Sequence, residues 1–356
     1  MNRSLTLAIL FAVYLCALLI IGLWPMNFRE QNHAIMDHRD GLILAPPSTA
    51  YSPEATKKIL SLKNFTIFIH VSSDFFPSKG FGSILSYGLD YERMNFLVGQ
   101  WRSGIELRLA ADHRRRAISF GEQEVFTKGN PTWFAMSYDG AVMVLYQDGK
   151  KIAARRTGPL TFTRWNGSYP LVVGSDARGR SSWKGSIRTI AIFNRALQEK
   201  EILALSGNLR DLAPLICYAY ADMDGPSIKD SGTPPPADLF VPHRFVPFQR
   251  DFLELPGMGH IKFTVRIMDI IINVAGFIPL GLILSLYYSQ ENESFIRPLI
   301  MAVIVGALTS LIIESSQAFL AGRSSSMLDL VNNIIGSSLG VFFHHLRMVP
   351  ISQQRT

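Results

Sequence analysis

Asp269 and Asn273 stand four residues apart, Glu314 and Gln317 three, and Asp329 and Asn333 four, each pair inside or at the end of an otherwise apolar stretch. Arg323 lies in the short loop between the second and third pairs. Residues at these spacings share one face of a helix. Ionisable side chains in a bilayer are costly, and they turn toward a bundle interior or a polar cavity. Three carboxylates with three amides and one guanidinium could exchange protons, hold a divalent metal or receive a polar headgroup. The competing role is structural: the amides bond across helices and Arg323 neutralises one carboxylate. Three acids against one arginine leave negative charge over, which a proton, a cation, a polar headgroup or Arg266 would balance.

The stretches that position these residues have membrane length. Residues 5–24, 267–288, 298–319 and 327–346 are each about 20 residues of mostly apolar sequence, the span of a hydrocarbon core. Asp269 and Asp329 fall in the first turns of their stretches and Glu314 near the last turn of its own. With alternating direction, all three come to one side of the membrane, the side that holds the middle of the chain. Gly336 and Gly340 continue the Asp329 face at a spacing that lets helices approach closely. The first stretch ends Trp24-Pro25-Met26-Asn27-Phe28. This lacks a small-x-small cleavage site and predicts an uncleaved anchor. Arg3 before that anchor predicts cytoplasmic termini and an extracytoplasmic middle, in a multi-pass protein of the bacterial inner or plasma membrane. The flanking charges do not by themselves separate the two orientations.

The middle of the chain reads as strands. Phe65, Ile67, Ile69 and Val71 alternate. Residues 133–138, 142–147, 171–174 and 187–193 are further short β-type runs, and Asp139-Gly140 and Asp148-Gly149 mark tight turns. Residues 198–205 read as a short helix. This pattern predicts a two-layer antiparallel sandwich. Residues 219–239 predict an edge strand with a Pro-rich exit, and Pro234-Pro235-Pro236 predicts the start of an extended linker toward the membrane. Residues 241–255, with Phe245, Phe248 and Phe252, are expected on the domain or bilayer surface.

Two resemblances emerge from these residues. Trp133-Phe134-Ala135-Met136-Ser137-Tyr138-Asp139-Gly140, Leu145-Tyr146-Gln147-Asp148-Gly149-Lys150, Trp183-Lys184-Gly185-Ser186-Ile187 and Ile192-Phe193-Asn194-Arg195-Ala196-Leu197 resemble the laminin-G-like, concanavalin A-like jelly roll over about residues 41–205. Asp269-x3-Asn273-x3-Phe277-Ile278-Pro279-Leu280-Gly281, Glu314-x2-Gln317, Arg323, Asp329, Asn333 and Gly336 resemble the VanZ-like membrane family over the first span and about residues 267–347. The second resemblance implies an association with glycopeptide antibiotic resistance, without a settled biochemical activity. Most members lack an insert of this kind. The expected architecture is therefore a four-helix transmembrane bundle with a β-sandwich inserted after the first helix. Its divisions are 1–28 for the anchor, 29–240 for the sandwich, 241–266 for a linker or surface segment, 267–346 for the later helices and 347–356 for a tail.

Only five of the 35 basic and five of the 28 acidic residues lie outside residues 25–266, so the net charge of +7 resides on the middle of the chain. A basic surface favours polyanions. Arg114, Arg115 and Arg116, with Arg155 and Arg156, are the candidate contacts. Asp176, Asp222, Asp224 and Asp230 are weak candidates for Ca²⁺, since loop aspartates mostly make turns. No other cofactor is indicated. Trp101, Trp165 and Trp183 could stack on sugars or fill the core. Cys16 and Cys217 provide no disulfide framework. No H-E-x-x-H or E-x-D-x-x-E pattern occurs. The sequence therefore names no catalytic residue and leans against an enzyme. It predicts an envelope protein with the bilayer as one partner and a glycan, anionic polymer or lipid headgroup as another. Nucleic acid is not among the expected partners. The alternatives are a membrane enzyme or carrier for a lipid-linked substrate, or an assembly factor for surface polysaccharide.

Overall fold

The computed structural model describes residues 3–76, 80–207, 209–248, 252–255, 263–289, 295–320, 323 and 325–348. The chain divides into two compact units, Arg29–Gln249 and Met1–Phe28 with Arg250–Thr356.

The first of these is a β unit. Its strands form one antiparallel path that runs from Lys150–Arg156 through Val142–Gln147, Pro131–Tyr138, Phe65–Ser73, Gly185–Phe193, Ile216–Asp224 and Ser227–Asp230. It continues through Leu239–Phe240, Ala50–Ser52, Leu171–Val173, Phe81–Gly88, Met94–Trp101 and Gly104–Leu109 to Ile118–Glu122. The pair Ala34–Asp37 and Gly41–Leu44 joins at Gly185–Phe193. The period-two alternation places Phe65, Ile67, Ile69 and Val71 in the core, with Phe96, Val98, Ile105, Leu107 and Trp183. On the opposite face of Phe65–Ser73, Phe68 packs in a second cluster with Leu197, Ile202 and Leu205. That cluster is built around the short helix Glu199–Ala204, whose start Gln198 and Glu201 close with a capping box. Asp148 and Gly149 both take positive φ, 47° and 84°, as a two-residue hairpin turn requires.

The expectation for residues 219–239 is corrected. Ile216–Asp224 is an interior strand, paired with Gly185–Phe193 on one side and Ser227–Asp230 on the other. The Pro-rich stretch does not leave the domain either. Ala237, Leu239 and Val241 are buried in the core, and the Ala237 amide donates to Asp230. A chain with those anchors cannot act as a free linker.

The second unit holds four long helices: Arg3–Leu23, Phe263–Tyr288, Ile296–Gln317 and Met327–Met348, here called α1 to α4. The helices α1, α2 (over Ile267–Tyr288) and α3 are long and apolar enough to cross a membrane. The fourth equals them in length but is not among them. Asp329, Asn332, Asn333, His344, His345 and Arg347 lower its hydropathy, so the expected four apolar spans become three and one polar-faced helix. α4 packs on α2 and α3, and α1 packs on α2 and α3. Contact between α2 and α4 is backbone to backbone: a Cβ at Gly336 would collide with the Val274 carbonyl, and one at Gly340 with the Ile278 carbonyl. This is the close approach that small residues permit.

Candidate functional site

The helix ends of the second unit meet through their polar side chains. Asp329 lies near Asn273 and within electrostatic range of Asp269. Glu314 senses both Asp329 and Arg323. The starts of α2 and α4 and the end of α3 therefore lie together. Glu314 is buried, and its Oε2 accepts the Ser326 amide at 2.6 Å. One of the unsatisfied N–H groups at the start of α4 is thus closed by a carboxylate, where the helix dipole favours negative charge. Ser326 in turn caps the helix, its Oγ accepting the Asp329 amide at 3.3 Å.

Two of the seven residues turn to α1 instead. Gln317 Nε2 donates to the Gly22 carbonyl at 2.7 Å, and Arg323 Nη2 to the Trp24 carbonyl at 2.9 Å. They hold the first helix to the other three. One turn into α4, Asn333 Nδ2 donates to Ser310 Oγ at 2.9 Å, and a turn further Ser337 Oγ donates to the Ala302 carbonyl at 3.1 Å. Asp269 is exposed, whereas Asn273 and Asp329 are half-buried.

A short segment that the sequence did not single out completes this end of the helices. The Leu253 amide donates to Ser325 Oγ and the Glu254 amide to the Ser325 carbonyl, both at 3.0 Å. The Met327 amide donates back to the Glu254 carbonyl at 3.0 Å. Residues 252–255 thus brace the start of α4. These are backbone bonds, so no side-chain pattern announces them; the serines before α4 are the one local signal.

In the β unit, Arg114, Arg115 and Arg116 are exposed on the turn before Ile118–Glu122, and Arg155 and Arg156 on the outermost strand of the path. Arg155 Nη1 donates to the Ser119 carbonyl at 2.9 Å, which brings the two basic runs to one corner. None of the five makes an ion pair among the described residues. Asp112 anchors the base of the turn by accepting the Thr163 and Arg164 amides, each at 2.9 Å, an anchoring role the sequence did not suggest.

The four aspartates do not form a Ca²⁺ site among the described residues, where no group of three or more metal-type ligands occurs. Asp230 accepts Lys58 Nζ at 2.7 Å and the amides of Cys217, Gly232 and Ala237, so its oxygens are filled by the fold. Asp176 accepts the Arg178 and Arg180 amides. The side chains of Asp222 and Asp224 lie outside the described residues. Trp165 and Trp183 are core residues whose Nε1 atoms donate to the Ala110 carbonyl and Gln100 Oε1. Trp101 is exposed at a strand end.

Several solved structures match part of this chain at low similarity. The carbohydrate-binding module CBM40 of the Ruminococcus gnavus IT-sialidase, bound to α2,3-sialyllactose, is 15% identical, covering 50% of this chain and 98% of its own, with a TM-score of 0.39. A Bacteroides ovatus protein described as a putative carbohydrate binding protein is 13% identical, covering 56% and 59%, with a TM-score of 0.40. No curated protein matches the chain. Residues 49–203 match the model of the concanavalin A-like lectin/glucanases superfamily, close to the expected extent. The VanZ/LLP1 model matches residues 226–348. This second match starts upstream of the expected residue 267, inside the β unit, and does not include the first helix. The chain is thus a membrane protein that joins a concanavalin A-like jelly roll to a C-terminal VanZ/LLP1 domain.

Proposed function

We propose that this chain is an integral membrane protein of the cell envelope. Its jelly roll lies outside the membrane and binds a glycan or anionic polymer, and its helices hold a polar site near the outer leaflet. Both termini are cytoplasmic in this reading. One observation carries the glycan half: Arg114, Arg115, Arg116, Arg155 and Arg156 gather at one corner through the Arg155–Ser119 contact, without carboxylate partners among the described residues. Exposed guanidinium groups offer forked donors that match carboxylate, sulfate or phosphate. The lectin/glucanase match supports a sugar backbone for that polymer. The absence of an E-x-D-x-x-E pattern favours binding over hydrolysis.

The test uses the full chain in detergent micelles on immobilised acidic polysaccharide. Retention at low salt and release at high salt are expected. The triple change Arg114→Ala, Arg115→Ala and Arg116→Ala should weaken retention about tenfold, at a few tenths to one kcal/mol for each exposed contact. Retention that ignores both salt and this variant would refute the reading.

A further inference from the structure

Residues 29–35 and 243–248 of the β unit lie side by side as an antiparallel ribbon. Gln31 bridges Arg244, the Asn32 amide donates to the His243 carbonyl at 3.2 Å, and the Phe245 amide donates to the Glu30 carbonyl at 3.0 Å. Extended chain turns successive side chains to opposite faces. Accordingly Arg244, Val246 and Phe248 are exposed, while Phe245 between them is buried. On the other side of the ribbon Arg29, Gln31, His33 and Ile35 are exposed, and Glu30, Asn32 and Ala34 are half-buried. Asn32 turns inward, its Nδ2 donating to the Thr49 and Pro242 carbonyls at 2.8 and 2.7 Å. The register sets Gln31 opposite Arg244, and so Arg29 opposite Val246, on the outward face.

That outward face mixes guanidinium groups with bare apolar surface. Val246 is 46% exposed and Phe248 49%. The Phe248 ring packs edge-on against Tyr51, centroids 5.9 Å apart, and Tyr51 packs in the same way against exposed Phe240 at 5.6 Å. Phe248 is thus held in place with half its surface uncovered. Aromatic rings beside arginines suit the membrane–water interface, where the rings sit at headgroup level and the cations meet anionic lipid. Chain length supplies the second argument. α1 is long and apolar enough to cross a membrane and ends at Leu23, six residues before Arg29. Extended chain covers at most about 3.6 Å per residue, so Arg29 lies within about 22 Å of that helix end. The connection is shorter still, because the Met26 amide folds back to the Leu23 carbonyl at 2.6 Å. Of the whole β unit, this ribbon is held nearest to α1 along the chain.

We propose that this ribbon rests on the bilayer, with Val246 and Phe248 in the headgroup layer and Arg29 and Arg244 on the phosphates of anionic lipids. The forked donors of a guanidinium match phosphate oxygens. A neutral bilayer satisfies the apolar side chains alone, so the charge of the lipid matters to the contact. The surface goes beyond the polymer-binding corner and the polar site of the helices, and it shares no residue with either.

The test places a nitroxide on the full chain in liposomes, through Gln31→Cys at the centre of the ribbon in a Cys16→Ser background. Cys217 is buried and stays unlabelled. The same label at Leu203→Cys, 59% exposed on the short helix of the β unit, is the reference. In bilayers containing phosphatidylglycerol, a neutral water-soluble nickel chelate should collide freely with the label at 203 and be kept from the label at 31. Arg29→Ala with Arg244→Ala, both exposed changes, should lower the ratio of resting to lifted ribbon about 25-fold, about fivefold for each arginine. Bilayers of phosphatidylcholine alone should act in the same direction. A label at 31 as accessible as the one at 203 would overturn the proposal. So would shielding that is unchanged both in phosphatidylcholine alone and in the double-arginine variant, since the cover would then be the chain's own helices. Shielding that appears only on adding soluble acidic polysaccharide would assign the ribbon to a polymer instead. Arg114→Ala, Arg115→Ala and Arg116→Ala together should leave the shielding unchanged, so failure here and failure of polysaccharide binding are told apart.

Discussion

Asp230 in the β unit is buried and Asp329 in the helical unit is half-buried, and their surroundings are opposite in kind. Asp230 meets a lysine and three backbone amides. Asp329 meets one amide side chain and a second carboxylate. A low-dielectric interior punishes unpaired charge far more than it rewards a paired one. An acid whose every oxygen is filled by its own fold therefore has a structural explanation. Asp329, beside a like charge, is offset only by Asn273 and by the start of its own helix, where negative charge is favoured. The contrast separates an aspartate that holds strands together from one that stands at a helix start beside a like charge. It also explains why loop aspartates of the jelly roll made poor Ca²⁺ candidates: Asp230 is occupied by Lys58 and three amides, and Asp176 Oδ1 already accepts two amides.

The comparison is broken most directly at Asp230. Asp230→Ala strands Lys58, whose side chain is 6% exposed, and three amides. It should cost about 3–5 kcal/mol, the range for breaking a buried pair. Denaturant unfolding of the chain, followed by tryptophan fluorescence, measures this. A loss below about 1 kcal/mol would remove the structural assignment.

A smaller effect belongs to Asp176. Burial pushes its carboxyl above the ordinary range, the Arg180 amide and Ser181 hydroxyl oppose that rise, and nearby Asp90 adds to it. The folded state then keeps a proton that the unfolded state releases, so stability falls as pH rises from about 4 through the raised value. Asp176→Asn should flatten this slope in unfolding midpoints measured across that window. An unchanged slope would trace the pH dependence to other groups.

The smallest effect carries the opposite sign. Asp269→Asn removes a like charge from near Asp329. It should stabilise the helical unit by a few tenths of a kcal/mol, as expected for an exposed charge. Heat unfolding in phosphatidylcholine micelles checks it. A destabilised variant would return Asp269 to the structural class.

Local features were legible in the sequence. The alternation at Phe65, Ile67, Ile69 and Val71 reports its own strand, and the Asp148-Gly149 turn its own hairpin, because both depend on neighbours in the chain. The approach of Asp269, Glu314 and Asp329 could be expected because direction alternates from one packed helix to the next. Long-range partners were not legible. Lys58 and Asp230 are 172 residues apart, and nothing near either announces the other. The same holds for Arg155 and Ser119, and for the strand 216–224, whose neighbours are chosen by sheet topology. Residues 234–236 misled because proline signals extension, whereas buried Ala237 and Leu239 decide where the extended chain goes.

The β unit is stitched at its seam. Gln31 bridges Arg244, and the Asn32 amide donates to the His243 carbonyl, so the chain comes in and goes out side by side. An entry and an exit so close make the jelly roll a cassette. Another domain with adjacent ends, or a short loop, could take its place between the same two chain ends.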